Sequence, residues 1–371
     1  PRRPISDPAN SMAERSTLVK PRPIDPSKAP IENVLELTEL SAIGPDMFTN
    51  TRPLWHPPGA RGIYGGAVIA QCLSAAQLTV PANFTVHSMH CYFVLAGDSE
   101  IPVMYYVEHI RSGKSFATRT VQAKQRGKAI FTTTMSFVRE NSGGTETVKH
   151  AVPLPKDLQQ PKDIDIPGEA SWADGSIAES PLLSQQIKIL NGDSEHPHEK
   201  RTRQWVRARG RISNAGGHQA HLSALAYMSD SYFIGTVTRI HELWRFGSPT
   251  NLPLSSKDDE KGDLESDMKL RDTYFKRVKE KQLLEGLEPD VTNEKGRPEV
   301  GMMVSLDHSI YFHEPRRFRA DEWMLTEMSS PWSGDGRGVV TQHMFAADGT
   351  LIATCFQEGV VRLKEDLKSK I

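Results

Sequence analysis

The stretch VSLDHSIYFH, residues 304–313, places a hydroxyl, a carboxylate and two histidines in a run that is otherwise typical of a β-strand. An earlier stretch, FTVHSMHCYF at residues 84–93, repeats this pattern with His87 aligned on His308. The agreement continues downstream, because a glycine lies 26 residues after each aligned histidine and a second one ends a polar turn 40 or 41 residues after it. Matching spacing over about fifty residues indicates two tandem copies of one folding unit.

Length and composition narrow the class of protein. A chain of 371 residues allows two medium-sized domains, and 25% charged with 37% apolar residues suffices for a packed core. The net charge of -1 argues against a broad electrostatic partner such as duplex DNA or an anionic membrane. The three cysteines lack the spacing of a zinc or disulfide framework. No apolar run approaches the roughly 18 residues that would span a bilayer.

Each copy of the repeat has the same predicted layout. A Gly-Gly pair opens a helix, and antiparallel strands follow it, which favours an α+β fold with the sheet wrapped on the helix. The chain accordingly divides into a flexible Pro-rich tail (1–30), an N-terminal unit (31–140), a linker (141–202), a C-terminal unit (203–364) that contains a charged insertion at about 250–299, and a C-terminal tail (365–371).

Alternating apolar residues and glycine turns predict the strands. They fall at 85–95, 101–111, 114–126 and 128–139 in the first unit, and at 301–314, 322–330, 335–346 and 350–362 in the second.

One carboxylate falls where an apolar residue is expected. The sequence predicts a helix over 219–234, in which Leu222, Ala226, Asp230 and Ile234 form a single stripe. A buried, unpaired carboxylate costs several kcal/mol, so Asp230 requires partners or a function. The alternative is an aspartate at a helix end that reaches solvent.

Comparison of the two copies isolates three polar positions in the second one. Alignment places Ser305 on Phe84, Gln357 near Met135, and Asp230 near Leu78 or Thr79. Since core-type elements gain polar groups in only one copy, the pattern indicates a functional site built around the second unit.

Other motifs favour no metal or nucleotide chemistry. The histidines of the two aligned stretches are interpreted as structural and no metal site is predicted, because the ends of a His-x-x-His strand motif face opposite sides of a sheet. No G-x-S-x-G motif is present, which disfavours a nucleophile-elbow hydrolase. Gly65-Gly66 lacks the G-x-G-x-x-G spacing of a dinucleotide site.

Five short motifs together resemble the type II acyl-CoA thioesterases, and most closely the peroxisomal acyl-CoA thioesterases of eukaryotes. They are Tyr64-Gly65-Gly66, HSMHCYF at 87–93, Gly97-Asp98, SLDHS at 305–309 and QEGV at 357–360. The resemblance covers about 60–140 and 203–363. It implies a double hotdog fold, in which two tandem domains each wrap an antiparallel sheet around a long helix.

The resemblance also implies an activity and its residues. By motif match the catalytic set is Asp230, Ser305 and Gln357, which would position a water for hydrolysis of fatty acyl-CoA to fatty acid and CoA. Backbone N–H groups at Gly65-Gly66 would receive the developing oxyanion. No cofactor is expected beyond the CoA of the substrate.

Two features depart from the family pattern. Ala67 stands where family members commonly have a glutamine after the Gly-Gly pair. The charged insertion at about 250–299 is absent from compact bacterial members, and it would lie near the acyl or CoA entrance.

Two alternative functions remain open at this stage. Hotdog domains also serve enoyl-CoA hydratases, which use an Asp/His pair, but the adjacent Asp307 and His308 of a strand would face opposite ways. A non-catalytic acyl-CoA-binding protein is the other alternative, and the intact polar set argues against it.

The end of the chain and the expected sheet edges predict partners. Ser369-Lys370-Ile371 is close to the Ser-Lys-Leu address read by the peroxisomal import receptor, which predicts a peroxisomal protein, or a cytoplasmic one if this signal does not function. Hotdog units of this family pair their sheets edge to edge, and an unpaired edge strand is a liability, so a homodimer or higher homo-oligomer is expected.

Overall fold

The computed structural model describes residues 19–55, 62–156, 158–161, 180–245 and 292–364, together with 272, 275–276, 278–279, 282–283 and 290. Residues 1–18 of the predicted Pro-rich tail, most of the predicted charged insertion and the whole C-terminal tail at 365–371 lie outside the described residues.

The first lobe, residues 31–140, contains two helices and six strands among its described residues. In chain order they are α1 (Pro30–Leu35), β1 (Leu37–Glu39), β2 (Met47–Asn50), α2 (Gly65–Gln77), β3 (Phe84–Phe93), β4 (Met104–Ser112), β5 (Phe116–Gln125) and β6 (Lys128–Arg139).

The second lobe, residues 180–364, also places two strands before its central helix, and α4 and five strands follow that helix. Its elements are β7 (Leu182–Leu190), β8 (Arg201–Ala208), α3 (Gly217–Met228), α4 (Gly235–Ile240), β9 (Val300–Ser305), β10 (Asp307–Phe312), β11 (Met324–Gly334), β12 (Arg337–Ala346) and β13 (Leu351–Leu363). A single 3-10 turn, Pro197–Glu199, precedes β8.

The two lobes share one continuous antiparallel sheet. Its described strands run in the order β1-β2-β4-β5-β6-β3-β10-β13-β12-β11-β8-β7, and β9 pairs with β13. The lobes meet where β3 pairs with β10, with Met89 opposite Ile310. Both side chains have no exposed surface. Each lobe therefore contributes one half of a sheet that encloses a common core, which is the double hotdog arrangement expected from the resemblance.

The two central helices pack against each other inside this sheet. Ser74 of α2 and Ser223 of α3 face each other with 3.0 Å between their hydroxyl oxygens. Ala67, Ala70 and Ala224 are fully buried. Small residues such as these let a helix approach its neighbours closely, so the alanine-rich sequence of α2 fits its central position.

The second lobe begins earlier in the chain than predicted. Residues 182–190, placed in the linker at 141–202, form the edge strand β7, which pairs with β8. Leu183 and Ile187 of this strand are buried. Polar residues on its other face and its Pro- and Ser-rich surroundings hide the alternation in the sequence.

Two further element boundaries differ from prediction. The helix predicted over 219–234 ends at Met228, so Asp230 lies beyond the helix and not within its apolar stripe. The strand predicted over 301–314 consists of β9 and β10, which are separated at Leu306. No glycine or proline lies at either break, so the sequence carries no local signal for them.

Part of the predicted flexible tail is held against the first lobe. The Arg52 guanidinium donates to the carbonyl oxygen of Pro23 at 2.8 Å, and the Asp25 N–H donates to the Asn33 side chain at 2.9 Å. The first lobe therefore includes residues before 31.

The junction between the lobes should contribute strongly to stability. We expect Ile310→Ala to lower the free energy of unfolding by about 2–5 kcal/mol, because it leaves a cavity in a fully buried site. Ile110→Ala, a matched substitution at a residue that is 55% exposed, should change it by less than about 1 kcal/mol. Urea unfolding followed by circular dichroism measures both, and equal effects would contradict the assigned core.

Candidate active site

Asp230 lies where α3 gives way to a turn. Ser229 is the last residue of helical geometry, and Asp230 follows it before the chain reverses at Tyr232, which has a φ of 60°. This left-handed conformation is rare for an aromatic residue and holds the chain away from a continuing helix. In the first lobe Thr79 likewise lies two residues beyond the end of α2, which supports its predicted equivalence to Asp230.

The Asp230 carboxylate touches both lobes. Its Oδ1 accepts a hydrogen bond from Gln357 Nε2 at 2.8 Å, and the backbone N–H of Gly66 also donates to the carboxylate. A Cβ atom on Gly65 would lie 2.7 Å from Asp230 Oδ2, so only glycine permits this approach. The α2 N-terminus of the first lobe thus completes a site whose carboxylate comes from the second.

Gln357 projects inward from β13 and is 1% exposed. Besides Asp230, its Nε2 donates to His308 Nδ1 at 3.1 Å. His308 Nε2 lies 3.0 Å from the hydroxyl of Ser229, whose own proton goes to the carbonyl oxygen of Ala226 at 2.9 Å. A chain of hydrogen bonds therefore runs from Asp230 through an amide and an imidazole back to the end of α3.

Burial sets the protonation states of this chain. It raises the pKa of Asp230 to about 6, against the opposing hydrogen bonds from Gln357 and Gly66. It lowers the pKa of His308 to about 3, so the imidazole is neutral at physiological pH. A weakly basic carboxylate beside a neutral imidazole suits Asp230, rather than His308, to accept a proton near neutral pH.

Two tyrosines close the site on the helix side. The Tyr64 hydroxyl donates to the carbonyl oxygen of Tyr227 at 3.1 Å, and the two rings lie 4.9 Å apart. Burial, aided by the Asp230 charge, raises the pKa of both phenols well above the ordinary value. These contacts fix the start of α2 against the end of α3, where Gly66 meets Asp230.

Ser305 occupies the same face of the sheet as Gln357 without touching it. Ser305 pairs with Gly359 across β9 and β13, and Gln357 is two residues from Gly359 on the same strand. Opposed residues of antiparallel strands point to one face, and diagonal neighbours lie about 7–8 Å apart. Within the described residues, no hydrogen bond joins the Ser305 hydroxyl to Asp230 or Gln357.

The strand registers test the predicted equivalence of the two copies. Phe84 pairs with Arg139 as Ser305 pairs with Gly359, which supports the alignment of Ser305 on Phe84. Gln357 had been placed near Met135, but the registers assign it to Phe137. Met135 is the counterpart of Cys355, because the first opposes Met89 and the second opposes Ile310. These counterparts support the prediction of a single polar set in the second lobe.

Sequence reasoning missed two members of the network, His308 and Ser229. The histidine was interpreted as structural, and it is fully buried as that interpretation requires. Its contact with Gln357 adds a polar function. The signal was available in the strand period, since His308 shares the inward face with Ile310 and Phe312.

Comparison with known proteins agrees with this fold. Residues 52–138 match the family described as the acyl-CoA thioesterase N-terminal domain, and residues 155–361 match its C-terminal domain. The second match begins before β7, consistent with a C-terminal unit longer than predicted.

Individual relatives cover nearly the whole chain. The chain is 33% identical to acyl-coenzyme A thioesterase 8 of Mus musculus over 89% of both chains. It is 24% identical to peroxisomal acyl-coenzyme A thioester hydrolase 1 of Saccharomyces cerevisiae, over 90% of this chain and 96% of the relative.

A solved structure shares the architecture. The acyl-CoA thioesterase II of Mycobacterium marinum superposes with a TM-score of 0.58 at 25% identity, over 90% of this chain and 98% of the other. With both domain families matched in order and a relative similar over most of its length, the chain belongs to the double hotdog acyl-CoA thioesterase family.

Proposed function

We propose that this protein hydrolyses fatty acyl-CoA thioesters to a free fatty acid and CoA. The observation that carries the proposal is the buried Asp230 carboxylate, which accepts hydrogen bonds from Gln357 and from Gly66 at the junction of the two lobes. Its placement in a chain of this family makes a thioester the substrate to test first. We assign no cofactor beyond the CoA carried by the substrate.

The reaction follows from the arrangement of these groups. A water held by Asp230 and Gln357 attacks the thioester carbonyl carbon, and its proton passes to the Asp230 carboxylate. The tetrahedral intermediate then expels the CoA sulfur, which takes up the proton from Asp230 as the C–S bond breaks. No covalent acyl-enzyme is required, and Ser305 is assigned the role of a further hydrogen-bonding partner for the water.

The oxyanion needs a separate donor. Both Gly65 and Gly66 were predicted to supply it, but the Gly66 N–H donates to Asp230. We therefore assign the oxyanion to the Gly65 N–H and the positive end of the α2 dipole, where the missing side chain allows close approach. Gly66 then holds the base, and Gly65 holds the developing charge.

The contacts of the Asp-His pair do not favour the hydratase alternative. Asp307 accepts the backbone N–H of Glu358 at 2.7 Å, while the adjacent His308 is turned into the core toward Gln357. The two side chains therefore do not act on one substrate atom. Nor does a binding-only function account for a buried carboxylate with a raised pKa.

The cellular setting of the activity is also a proposal. We propose a peroxisomal location, supported by the name of the yeast relative, a peroxisomal thioester hydrolase, and by the terminal Ser369-Lys370-Ile371, which lies outside the described residues. The partner implied is the peroxisomal import receptor. Among the described helices, none has the length and apolar character needed to cross a bilayer.

Assembly into a homodimer or larger homo-oligomer completes the proposal. Among the described strands, β1 and β7 end the shared sheet on either side, and each pairs there with one neighbour. Unpaired strand edges attract further strands, so association of copies at these edges would protect them.

Hydrolysis should depend on the polar set of the second lobe. We expect Asp230→Asn to lower kcat for palmitoyl-CoA by about 10²–10⁴-fold, because it removes the general base. Ser305→Ala and Gln357→Ala should each lower kcat, and adding either to Asp230→Asn should have little further effect, since groups acting as a unit are non-additive. Thiol release measures the rates.

Controls for this experiment come from the first lobe and from a second substrate. Thr79→Ser, a conservative change at the counterpart of Asp230, should alter kcat by less than about 3-fold. Crotonyl-CoA tests for hydratase activity through its enoyl absorbance. Wild-type loss of that absorbance without thiol release, or an Asp230→Asn variant of near wild-type activity, would overturn the assignment.

The raised pKa of Asp230 also predicts a cost in stability. Its folded pKa of about 6 exceeds the ordinary value of 3.8, so the folded state binds this proton more tightly. Stability from this group is therefore present at low pH and is lost as the pH rises from about 4 to 6. At pH 7.5 we expect Asp230→Asn to be more stable than wild type by about 3 kcal/mol, with no difference near pH 3.5.

Urea unfolding at the two pH values provides the measurement. Asp335→Asn, a change at an exposed turn residue, is the control and should shift stability by less than about 0.5 kcal/mol at either pH. If Asp230→Asn unfolds more easily than wild type at pH 7.5, the charged carboxylate does not lower the stability of the fold and the prediction is wrong.

The terminal tripeptide should direct import. A fluorescent protein fused to residues 360–371 should give puncta that coincide with a peroxisomal marker, because the tail presents a Ser-Lys-Leu-type address. The same fusion without residues 369–371 is the matched control and should be diffuse. Identical diffuse signals from both fusions would rule out this tail as an address.

A further inference from the structure

Gln357 carries a buried acceptor that the contacts of the fold do not use. Its Nε2 donates two hydrogen bonds, whereas its Oε1 is buried and has no partner in the part of the chain that the structure describes. Leaving a buried carbonyl oxygen without a hydrogen bond destabilises the folded state, so such a group in a native fold calls for an explanation. A water or a substrate group that donates to Oε1 supplies one.

The orientation of this amide is fixed from one side by His308. An amide NH2 is only a donor, so His308 Nδ1 must be the acceptor in their 3.1 Å contact. A neutral imidazole then carries its proton on Nε2, which donates to the Ser229 hydroxyl at 3.0 Å. If the amide were rotated by half a turn, its Oε1 would face the lone pair of Nδ1 and the Asp230 carboxylate, and both contacts would become repulsive.

The backbone of Glu358, which follows Gln357 in β13, is held by Asp307, the residue before His308 in β10. Asp307 accepts the Glu358 N–H at 2.7 Å, and the Leu306 N–H donates to the carbonyl oxygen of Glu358 at 2.9 Å. Two consecutive residues of β10 thus bind one segment of β13: Asp307 binds the backbone of Glu358, and His308 binds the side chain of Gln357. His308 itself packs against the ring of Phe233, 5.3 Å between centroids, which limits its movement.

We propose that His308 is a positioning residue for the reaction, which holds the Gln357 amide with Nε2 toward the Asp230 carboxylate and with Oε1 toward the attacking water. His308 does not touch the substrate and exchanges no proton in this role. The inference rests on the proposed hydrolytic function, and it adds a second fixed acceptor for the water. Water held by Oε1 and by the carboxylate has both of its protons directed away from the thioester carbon, so a lone pair faces that carbon.

Neutrality of His308 supports this role. Burial lowers its pKa to about 3, so Nδ1 keeps its lone pair throughout the pH range in which Asp230 titrates. The titratable groups that face Asp230 from the surrounding elements are Tyr64 on the α2 side, Tyr227 of α3 and Cys91 of β3. Burial raises the pKa of each of them, so none of them changes charge between pH 4 and pH 8.

Two substitutions of similar size separate positioning from mere packing. In His308→Asn the new Oδ1 lies near the original Nδ1 and can accept from Gln357, whereas in His308→Gln the amide reaches toward Ser229 and leaves the Gln357 contact unfilled. We expect His308→Gln to lower kcat for palmitoyl-CoA by about 10–100-fold with KM changed less than about 3-fold. His308→Asn should recover most of that loss.

The pH profile gives a readout that a packing defect would not move. The hydrogen bond from Gln357 lowers the pKa of Asp230. An amide free to rotate weakens that bond, so the acid limb of the kcat profile should move to higher pH in His308→Gln and stay near its wild-type position in His308→Asn. His87→Gln is the control at the aligned histidine of the first lobe, which contacts Ser136 instead, and should leave both kcat and the profile unchanged.

Stability against pH separates failure of this inference from failure of the proposed function. If wild-type protein releases no thiol, the function is wrong, but the pH window in which wild-type stability falls should still shift upward in His308→Gln and not in His308→Asn. Equal losses of activity in the two variants, or an acid limb and a stability window unmoved by His308→Gln, would overturn the positioning role. Circular dichroism at each pH confirms that the compared proteins are folded.

Discussion

The antiparallel pairing of β3 with β10 is the constraint on which the rest of the molecule depends. It joins two half-sheets into one, with Met89 and Ile310 opposed at the junction. Because each half-sheet wraps its own helix, the same pairing brings α2 and α3 together in the centre. The start of one helix then meets the end of the other, and Asp230 comes within reach of the Gly66 N–H. The site is thus a product of how the lobes join, and neither lobe contains it alone.

Burial of one carboxylate links packing to chemistry in this arrangement. In water Asp230 would be a weak base, and in the core its charge is opposed by desolvation and supported by the hydrogen bonds from Gln357 and Gly66. The fold tolerates this because the surrounding strands and tyrosines are fixed by many contacts that do not involve the carboxylate. A rigid scaffold that holds an unfavourable group in place is a common relation between stability and activity.

The strands β3 to β6 could be predicted to within a few residues, because apolar and polar side chains alternate along them and glycine turns separate them. The strands β1 and β2 could not, since three and four residues are too few to show an alternation. The end of α3 could not, since apolar periodicity continues to Ile234 while the chain turns at Tyr232 without a glycine to signal it. Comparing the copies singled out Asp230 and Gln357, which the structure joins by a hydrogen bond, and Ser305, which makes no hydrogen bond to either of them among the described residues. His308 was missed as a partner of Gln357, because an inward-facing histidine is equally typical of a structural core residue and its contact with Gln357 depends on the pairing of β10 with β13.

The duplication of the lobes has a consequence for how such a protein can evolve. A dimer of identical hotdog units would carry two equivalent sites related by its symmetry axis, and each change would appear in both. Once two copies are fused in a single chain, each half is free to change separately. Here the hydroxyl and the carbonyl oxygen of Thr79 accept hydrogen bonds from the Arg119 guanidinium, at the position where the other copy has Asp230. The two halves have thus come to differ in chemistry at equivalent positions, and because Gly66 of one half donates to Asp230 of the other, each half depends on its neighbour.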